Sequence, residues 1–305
     1  MFLSVVTTVY HSEQYLDEFH RQVVLAASGI TSDFEVIFVN DGSRDKSLDK
    51  LRELGRRHSH VRVINLSRNF GHHKAIMTGL VQARGKYVFF IDCDLEESPS
   101  LLREFWDALD DETDVVFGIQ HSRKGGRLEK AFGRVFYWIL NKMLHVDYPA
   151  DMVSARLMRR QYVEQLSRFP EKDFDLWVLF ALTGFRQKGI RVAKADKGST
   201  TYTWRRKFAL AINTITSASS KPLYLVLIAG LLTVSASFLI LFFLFFQRSL
   251  QKEPFAKMDF LIFSGWFLSG VILTGLGITS TYIAKIFTEV KNRPYQIHRT
   301  NEHHE

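Results

Sequence analysis

The sequence predicts an α/β fold with a mostly parallel sheet, followed by a hairpin of two transmembrane helices. Three observations support this prediction. Strand-like and helix-like segments alternate over the first hundred residues, polar residues follow each strand-like segment, and two long apolar segments without charge lie near the C-terminus. Strands that alternate with helices pair in parallel through crossover connections. An apolar helix of about 20 residues is long enough to cross a bilayer.

Four short apolar, β-branched segments are predicted as strands, at 4–9, 34–39, 61–66 and 88–91. Helical spacing is found between them at 14–27 and 70–84. Ligands of such sheets bind beyond the carboxyl ends of the strands. The polar residues after these strand ends include Tyr10, Asp41, Asn69, Gly71 and Asp92. We therefore expect one ligand site along this edge of the sheet.

The segment KYVFFIDCDLEESP places four acids directly after an apolar strand, namely Asp92, Asp94, Glu96 and Glu97. Buried carboxylates are costly unless they are paired or bind a cation. At the end of a strand, pointing out of a sheet, such carboxylates suit a divalent metal ion. An Asp-Cys-Asp segment or an Asn-Asp-Gly-Ser turn is common by itself, but these segments occur in order at successive strand ends.

Composition limits the classes of partner. The chain has 305 residues, a net charge of +8 and a pI near 9.5, which favour an anionic partner. The single cysteine, Cys93, excludes an internal disulfide. We expect no nucleic acid partner, because the two apolar segments favour an anionic lipid or a phosphorylated substrate instead. The start of the sequence does not resemble a signal peptide.

The predicted organisation has five parts. They are a cytosolic α/β domain (1–204), a juxtamembrane amphipathic helix (205–221), two transmembrane helices (222–246 and 260–284) and a basic cytosolic tail (285–305). Basic residues are concentrated before the first apolar segment and after the second, which places both ends in the cytosol and the protein in the inner (plasma) membrane. Two long buried helices of a soluble core are the alternative.

The segments TTVYHSEQYL, EVIFVNDGSRDKS and LSRNFGHHKAIMTGLVQARGKYVFFIDCDLEESP, with the two apolar segments, resemble family 2 glycosyltransferases of the GT-A fold. Within that family they resemble membrane-anchored polyprenyl-phosphate glycosyltransferases, such as dolichyl-phosphate mannose synthase and the bactoprenol glucosyltransferases. The resemblance implies a nucleotide-sugar donor, expected to be a UDP-sugar, a Mg²⁺ or Mn²⁺ cofactor and a polyprenyl phosphate acceptor. It also implies a homo-oligomer, expected to be a tetramer.

The resemblance assigns roles to individual residues. Those expected to bind the donor are Tyr10, Asp41, Asn69, Gly71, Lys74 and Asp92. Those expected to bind the metal are Asp92, Asp94 and Glu96, of which Glu96 stands where the family usually has glutamine. Asp94 and Asp151 are the catalytic candidates, with Asp151 as the base if one is used. His72 and His73 replace a common Lys-Glu pair, and we expect them on the solvated surface, with a role at the donor edge as the alternative.

Three further segments point to the acceptor. A basic, aromatic-rich segment at 118–144 is predicted as an interfacial membrane helix, or else as an amphipathic helix packed on the sheet. Segment 148–163 resembles an acceptor-loop motif, whose acid falls at Asp151 or, in a second variant, at the position of Ser154. Residues 198–207 resemble a juxtamembrane motif that grips a lipid phosphate, although simple anchoring is the alternative. The acceptor candidates are Arg123, Lys130, Arg134, Tyr202, Arg206 and Lys207.

Together these observations predict an inverting, metal-dependent transfer of a monosaccharide from a nucleotide sugar to a polyprenyl phosphate at the cytosolic membrane face, for cell-envelope glycan or lipid modification. A transferase to another lipid or a processive polysaccharide synthase is one alternative. The Gln-x-x-Arg-Trp motif that is usual in such synthases is not found in the sequence. A non-catalytic membrane subunit that retains the nucleotide-binding sheet is the other alternative.

Overall fold

The computed structural model of the chain describes residues 1–120, 142, 152–169 and 175–193, with single positions between 246 and 289. The chain divides into two compact units, one formed by Met1–Trp204 with Arg293–Glu305 and the other by Arg205–Asn292. Among the described residues, no helix is both long enough and apolar enough to cross a bilayer. Most positions of the two predicted spans, 222–246 and 260–284, lie outside the described residues.

In the second unit, the described positions are helical. Six of its large apolar side chains are exposed, namely Phe246, Leu261, Leu268, Ile272, Ile283 and Ile286. Helices of water-soluble domains normally turn such side chains toward a core. These helical positions therefore present an apolar surface within the unit.

The first unit contains a seven-stranded sheet. Its strands are β1 (Leu3–Val9), β2 (Phe34–Asn40), β3 (Val61–Asn65), β4 (Tyr87–Phe90), β5 (Val115–Gln120), β6 (Met152–Arg159) and β7 (Gln187–Val192). Their order in space is β3-β2-β1-β4-β6-β5-β7. The first four strands in this order run parallel, β6 is antiparallel to both of its neighbours, and β5 and β7 pair in parallel. The prediction of a mostly parallel sheet is confirmed.

Helices cover both faces of the sheet. They are α1 (Leu16–Ser28), α2 (Ser47–Arg57), α3 (His72–Gln82), α4 (Leu101–Ala108), α5 (Arg160–Leu166) and α6 (Leu176–Leu182). α1, α2 and α4 pack on the face that carries Val5 and Phe89. α3, α5 and α6 pack on the face that carries Val6 and Phe90. Burial on both faces explains why these strands read as continuous apolar segments rather than as alternating ones.

The predicted strands and helices of the first hundred residues are confirmed, with ends that differ by a few residues. Segment 148–163 differs more, because from Met152 to Arg159 it forms β6, which lies inside the sheet between β4 and β5. The sequence analysis assigned no strand there. Ser154 and Arg156 interrupt the apolar pattern of this segment, and both are buried in the structure.

At the amino ends of the strands, Glu35 of β2 forms a buried charged network. Its carboxylate accepts hydrogen bonds from the hydroxyl of Ser4 at 2.7 Å, from the N–H of Arg84 at 2.9 Å and from the guanidinium of Arg62. Burial alone would raise the pKa of Glu35, but the bonds from Arg62, Ser4 and Arg84 outweigh it and hold the pKa below its usual value. The network ties β1, β2 and β3 to the α3–β4 connection.

Candidate active site

The carboxyl ends of β1, β2, β3 and β4 meet at one edge of the sheet. Val9 lies opposite Asn40, and Asn40 lies opposite Asn65, whose side chain accepts a hydrogen bond from the Asn40 amide at 2.8 Å. The predicted site residues that follow these strand ends are Tyr10, Asp41, Asn69, Gly71, Asp92 and Asp94. The strand ends therefore converge as the sequence predicts, while the roles of these residues stay predictions.

Asp41 braces two loops of this edge. Its side chain is buried, and its two oxygens accept the N–H of Phe70 at 2.7 Å and the N–H of Gly71 at 3.0 Å. Its own N–H donates to the carbonyl of Val9 at 2.9 Å. Asp41 thus fixes the connection that leads from β3 into α3. Contact between its carboxylate and a nucleotide base remains a prediction.

Gly42 allows these two loops to approach closely. Its φ is +67°, and a Cβ at this position would lie 2.3 Å from the carbonyl carbon of Arg68 and 2.4 Å from the nitrogen of Asn69. Both the backbone conformation and the space therefore require glycine. Close contact between the turn after β2 and the turn after β3 forms the base of the edge.

In the acidic turn after β4, buried and half-buried residues alternate. Cys93 is buried, and burial raises the pKa of its thiol to about 12, so it serves as an apolar anchor. Asp92 and Asp94, on either side of it, are only half-buried. Leu95 adopts a left-handed conformation with a φ of 61°, and the N–H of Glu96 donates to Oδ1 of Asp94 at 3.0 Å. This tight turn keeps the two aspartates at the edge of the sheet.

Glu97, the fourth acid of this segment, is not part of the predicted cation site. It is only 2% exposed, and its carboxylate accepts the N–H of Ser154 at 3.1 Å, the Ser154 hydroxyl at 3.0 Å and the N–H of Ala155 at 2.7 Å. Glu97 was not among the predicted metal ligands, and the protein donors around its carboxylate agree with that. Glu97 bonds the acidic turn to β6.

His72 lies beside the acidic turn, at the start of α3. Its Nε2 is 3.6 Å from Oδ1 of Asp92, and its Nδ1 is 3.2 Å from the hydroxyl of Thr8 at the end of β1. The side chain keeps 45% of its surface exposed. His72 is thus exposed and also lies at this edge of the sheet, so solvated surface and a role at the donor edge both stay predictions. The sequence analysis did not identify its contact with Asp92, because the two residues are distant in the chain.

His73 points toward α6 instead. Its Nδ1 accepts the N–H of Leu176 at 3.3 Å and lies 3.9 Å from Oδ1 of Asp175, the residue that caps α6. Its ring meets the ring of Trp177 edge-on. The expectation of a simply solvated His73 is wrong, because this side chain joins α3 to α6.

Arg156 is a buried cation that the sequence analysis missed. It lies in β6 opposite Phe90 of β4, and it is fully buried. Its guanidinium carbon is 3.5 Å from the ring centroid of Phe180 and 5.1 Å from that of Trp177. Aromatic faces attract a cation in this position. A lone arginine within the apolar strand MVSARLM was the available signal in the sequence.

The remaining candidate residues are half-buried or exposed, or they lie outside the described residues. Tyr10 is 50% exposed and meets His11 edge-on, Asn69 is exposed, and Lys74 lies in the first turn of α3. Glu96 follows Asp94 on the acidic turn. The candidates outside the described residues are Arg123, Lys130, Arg134, Asp151, Tyr202, Arg206 and Lys207.

The donor groups of the acidic turn fit a hard divalent cation. Asp92 and Asp94 are half-buried carboxylates at the sheet edge, and an imidazole lies next to the first of them. Carboxylate oxygens are the ligands that Mg²⁺ and Mn²⁺ prefer. Outer partners commonly orient the carboxylates that bind a metal, and His72 lies 3.6 Å from the Asp92 carboxylate.

Comparison with known proteins agrees with this geometry. The profile of the family described as Glycosyl transferase family 2 matches residues 4–167. A protein of Mycobacterium tuberculosis that bears a glycosyltransferase name is 42% identical over 305 residues, covering 98% of this chain and 88% of that protein. A prophage-derived bactoprenol glucosyl transferase of Shigella flexneri is 29% identical over 308 residues, covering 99% of this chain and 100% of that protein.

Among solved structures, the chain is similar to glucosyl-3-phosphoglycerate synthase from Mycobacterium tuberculosis, which was crystallised with Mn²⁺, uridine diphosphate and phosphoglyceric acid. The TM-score is 0.50 with 16% sequence identity, over 70% of this chain and 76% of the other chain. At this identity the likeness concerns the fold alone. It supports the GT-A architecture that the sequence resemblance implies.

Proposed function

Because the chain belongs to glycosyl transferase family 2 and is a glycosyltransferase, we propose that it transfers a monosaccharide from a nucleotide sugar to a polyprenyl phosphate. The observation that carries the donor half of this proposal is the edge at which Asp41, His72, Asp92 and Asp94 converge. The similarity to bactoprenol glucosyl transferases, which extends over nearly the whole chain, supports the acceptor half.

The donor half follows from the chemistry of the leaving group. A nucleoside diphosphate leaves with negative charge, and a Mg²⁺ or Mn²⁺ ion held by Asp92 and Asp94 would neutralise that charge as a Lewis acid. His72 orients the Asp92 carboxylate, and Glu97 fixes the turn that carries Asp94. The turns that Asp41 and Gly42 hold together lie where we place the nucleotide. A UDP-sugar is our expected donor.

The acceptor half requires no proton transfer. A phosphate monoester has a second pKa of about 6 and is largely a dianion at neutral pH. We infer that its oxygen attacks the anomeric carbon while the bond from that carbon to the diphosphate oxygen breaks, with inversion. The nucleoside diphosphate leaves with the bonding electron pair. Correct positioning of the phosphate therefore matters more than a base, although Asp151 remains our candidate if one acts.

We place this reaction at the cytosolic face of the inner membrane. The uncharged segments 222–246 and 260–284, and the basic residues on either side of them, support two spans with both ends in the cytosol. The exposed apolar side chains of the second unit, from Phe246 to Ile286, are suited to contact with lipid. The phosphate-binding candidates Arg123, Lys130, Arg134, Tyr202, Arg206 and Lys207 would lie near the bilayer surface. A homo-oligomer, expected to be a tetramer, completes the proposal.

The test is sugar transfer to undecaprenyl phosphate in detergent, with a panel of radiolabelled UDP- and GDP-sugars, in Mn²⁺ or in EDTA. Asp94→Ala is compared with Asp107→Ala, which removes an exposed carboxylate of α4. We expect label in the lipid extract that requires Mn²⁺ and Asp94 but not Asp107. If the folded protein hydrolyses a donor in a metal-dependent way and labels no lipid, the acceptor is wrong. If it neither binds nor hydrolyses any donor, the catalytic proposal fails.

A further inference from the structure

Three histidines form a cluster at the end of the sheet opposite to the donor edge. His20 lies on α1, His58 is the residue that caps the C-terminus of α2, and His60 directly precedes β3. The backbone carbonyl of His60 accepts the N–H of Val36 near the start of β2. A seven-residue strand is about 23 Å long. The cluster is therefore separated by most of the length of β2 from Asp41 at the other end.

The ring nitrogens of the cluster have the spacing of metal ligands. One nitrogen from each histidine lies within 4.8 Å of the other two, and the Nε2 atoms of His20 and His60 are 3.2 Å apart. With Zn–N bonds of about 2.0–2.1 Å, two ligands of a tetrahedral zinc ion are about 3.3 Å apart. Only small side-chain adjustments would bring all three nitrogens onto one ion.

The chemistry of the cluster favours zinc over the cation of the donor edge. Imidazole suits Zn²⁺, whereas Mg²⁺ and Mn²⁺ prefer carboxylates. His20 is buried and His58 and His60 are half-buried, so the cluster is partly shielded from water. A cavity of about 380 Å³ borders the cluster at His60 and is also lined by Asp33 and Ser59.

We propose that His20, His58 and His60 bind a Zn²⁺ ion, which fastens α1 to the α2–β3 connection. The fourth position of the ion would be taken by water, because three protein ligands leave one position open. The ion would stabilise the amino edge of the sheet, since a ligand that binds only the folded state raises its stability. This inference does not depend on the proposed transfer reaction.

The first test measures zinc on the full chain purified in detergent, stripped with a chelator and then desalted. Isothermal titration with Zn²⁺ is compared between the wild type and the variants His58→Gln and His60→Gln, both at half-buried positions. We expect one tight site in the wild type, with affinity weakened by more than about 10-fold in each variant, because loss of a direct ligand should exceed the effect of losing an outer partner. Zinc should also raise the thermal midpoint of the wild type only.

Two controls separate this site from other zinc ligands. The double variant Asp92→Asn, Asp94→Asn removes the predicted carboxylate site, and His303→Gln with His304→Gln removes histidines of the C-terminal tail. Both should keep the tight site. Co²⁺ added to the wild type should give visible absorption typical of tetrahedral coordination, and His60→Gln should abolish it.

The alternative to a metal site is a direct hydrogen bond between the rings of His20 and His60. In that case the folded wild type retains no zinc, or His58→Gln and His60→Gln bind it as tightly as the wild type, and the inference is overturned. Sugar transfer is measured in His58→Gln and His60→Gln and should be unchanged at saturating Mn²⁺. A failure of the transfer assay in all proteins concerns the proposed function and leaves the zinc measurement valid.

Discussion

The carboxylate of Glu97 accepts both the N–H and the hydroxyl of Ser154, so the acidic turn after β4 is bonded directly to β6. Asp94 lies three residues before Glu97 on that turn, and it is one of the three predicted metal ligands, with Asp92 and Glu96. The turn that carries this predicted metal ligand is therefore held in place by a neighbouring acid that is buried.

Glu97→Ala should destabilise the protein and lower its transfer activity. It leaves the buried N–H groups of Ser154 and Ala155 without this acceptor, at about 1–3 kcal/mol for each unsatisfied group. Ser154→Ala removes one hydroxyl and should cost about 1 kcal/mol. Thermal midpoints and kcat/KM of both variants are compared with those of Glu104→Ala, an exposed glutamate of α4. Equal effects of Glu97→Ala and Glu104→Ala would contradict the bracing role.

His72→Ala should raise the Mn²⁺ concentration needed for half-maximal activity by about 10-fold, in the range found for residues that orient metal ligands. The reason is its contact with Asp92 and with the hydroxyl of Thr8. His73→Ala is the matched control, because this ring bonds to α6 instead. It should lower the thermal midpoint without changing the Mn²⁺ dependence. A shift of the same size in both variants would show that the contact of His72 with Asp92 is not the cause.

Gly42→Ala should be more damaging than Gly71→Ala, although both glycines have a positive φ. Each variant incurs a backbone cost of about 1–3 kcal/mol. A Cβ at position 42 also collides with the backbone at Arg68 and Asn69, whereas a Cβ at position 71 meets no atom within 4 Å. We expect a lower thermal midpoint and weaker UDP binding for Gly42→Ala. A Gly71→Ala variant that is equally unstable would contradict the close packing of the two turns.

The stability of the protein should fall in acid partly through Glu35. The folded state holds the pKa of Glu35 below its usual value, so the folded state binds fewer protons there than the unfolded chain. Its contribution is complete above the unfolded pKa, about 4.3 for glutamate, and is lost as the pH falls through the folded pKa. Glu35→Gln should lower the free energy of unfolding at pH 7 by about 3 kcal/mol.

The measurement that isolates this effect is the difference in unfolding free energy between wild type and Glu35→Gln from pH 7 to pH 3. The difference should shrink as the pH falls below about 4.3. Glu53→Gln, which removes an exposed ion pair with Arg57, is the control and should show a small difference at every pH. A constant difference for Glu35→Gln would contradict the role of its ionised carboxylate.

Local patterns were sufficient to predict the strands of the first hundred residues and the place of Asp92 and Asp94. Each of these strands is mostly apolar or β-branched, with Glu35 and Arg62 as its charged exceptions, and a polar turn follows each strand directly in the sequence. By contrast, β6 was not predicted, because Ser154 and Arg156 are buried through partners that are distant in the chain. Composition cannot reveal that a buried serine is satisfied by Glu97, or that a buried arginine lies over Phe180.

The sequence by itself determined the family, the parallel order of the first four strands and the edge at which the acids would gather. Those features depend on periodicity and on residues close together in the chain. Only the tertiary structure decided which acid faces inward, which histidine reaches Asp92 and which three histidines meet at the opposite edge. Most of these contacts join residues 20 or more positions apart, as between His72 and Asp92, His20 and His60, or Glu97 and Ser154. Packing rather than local preference selects them.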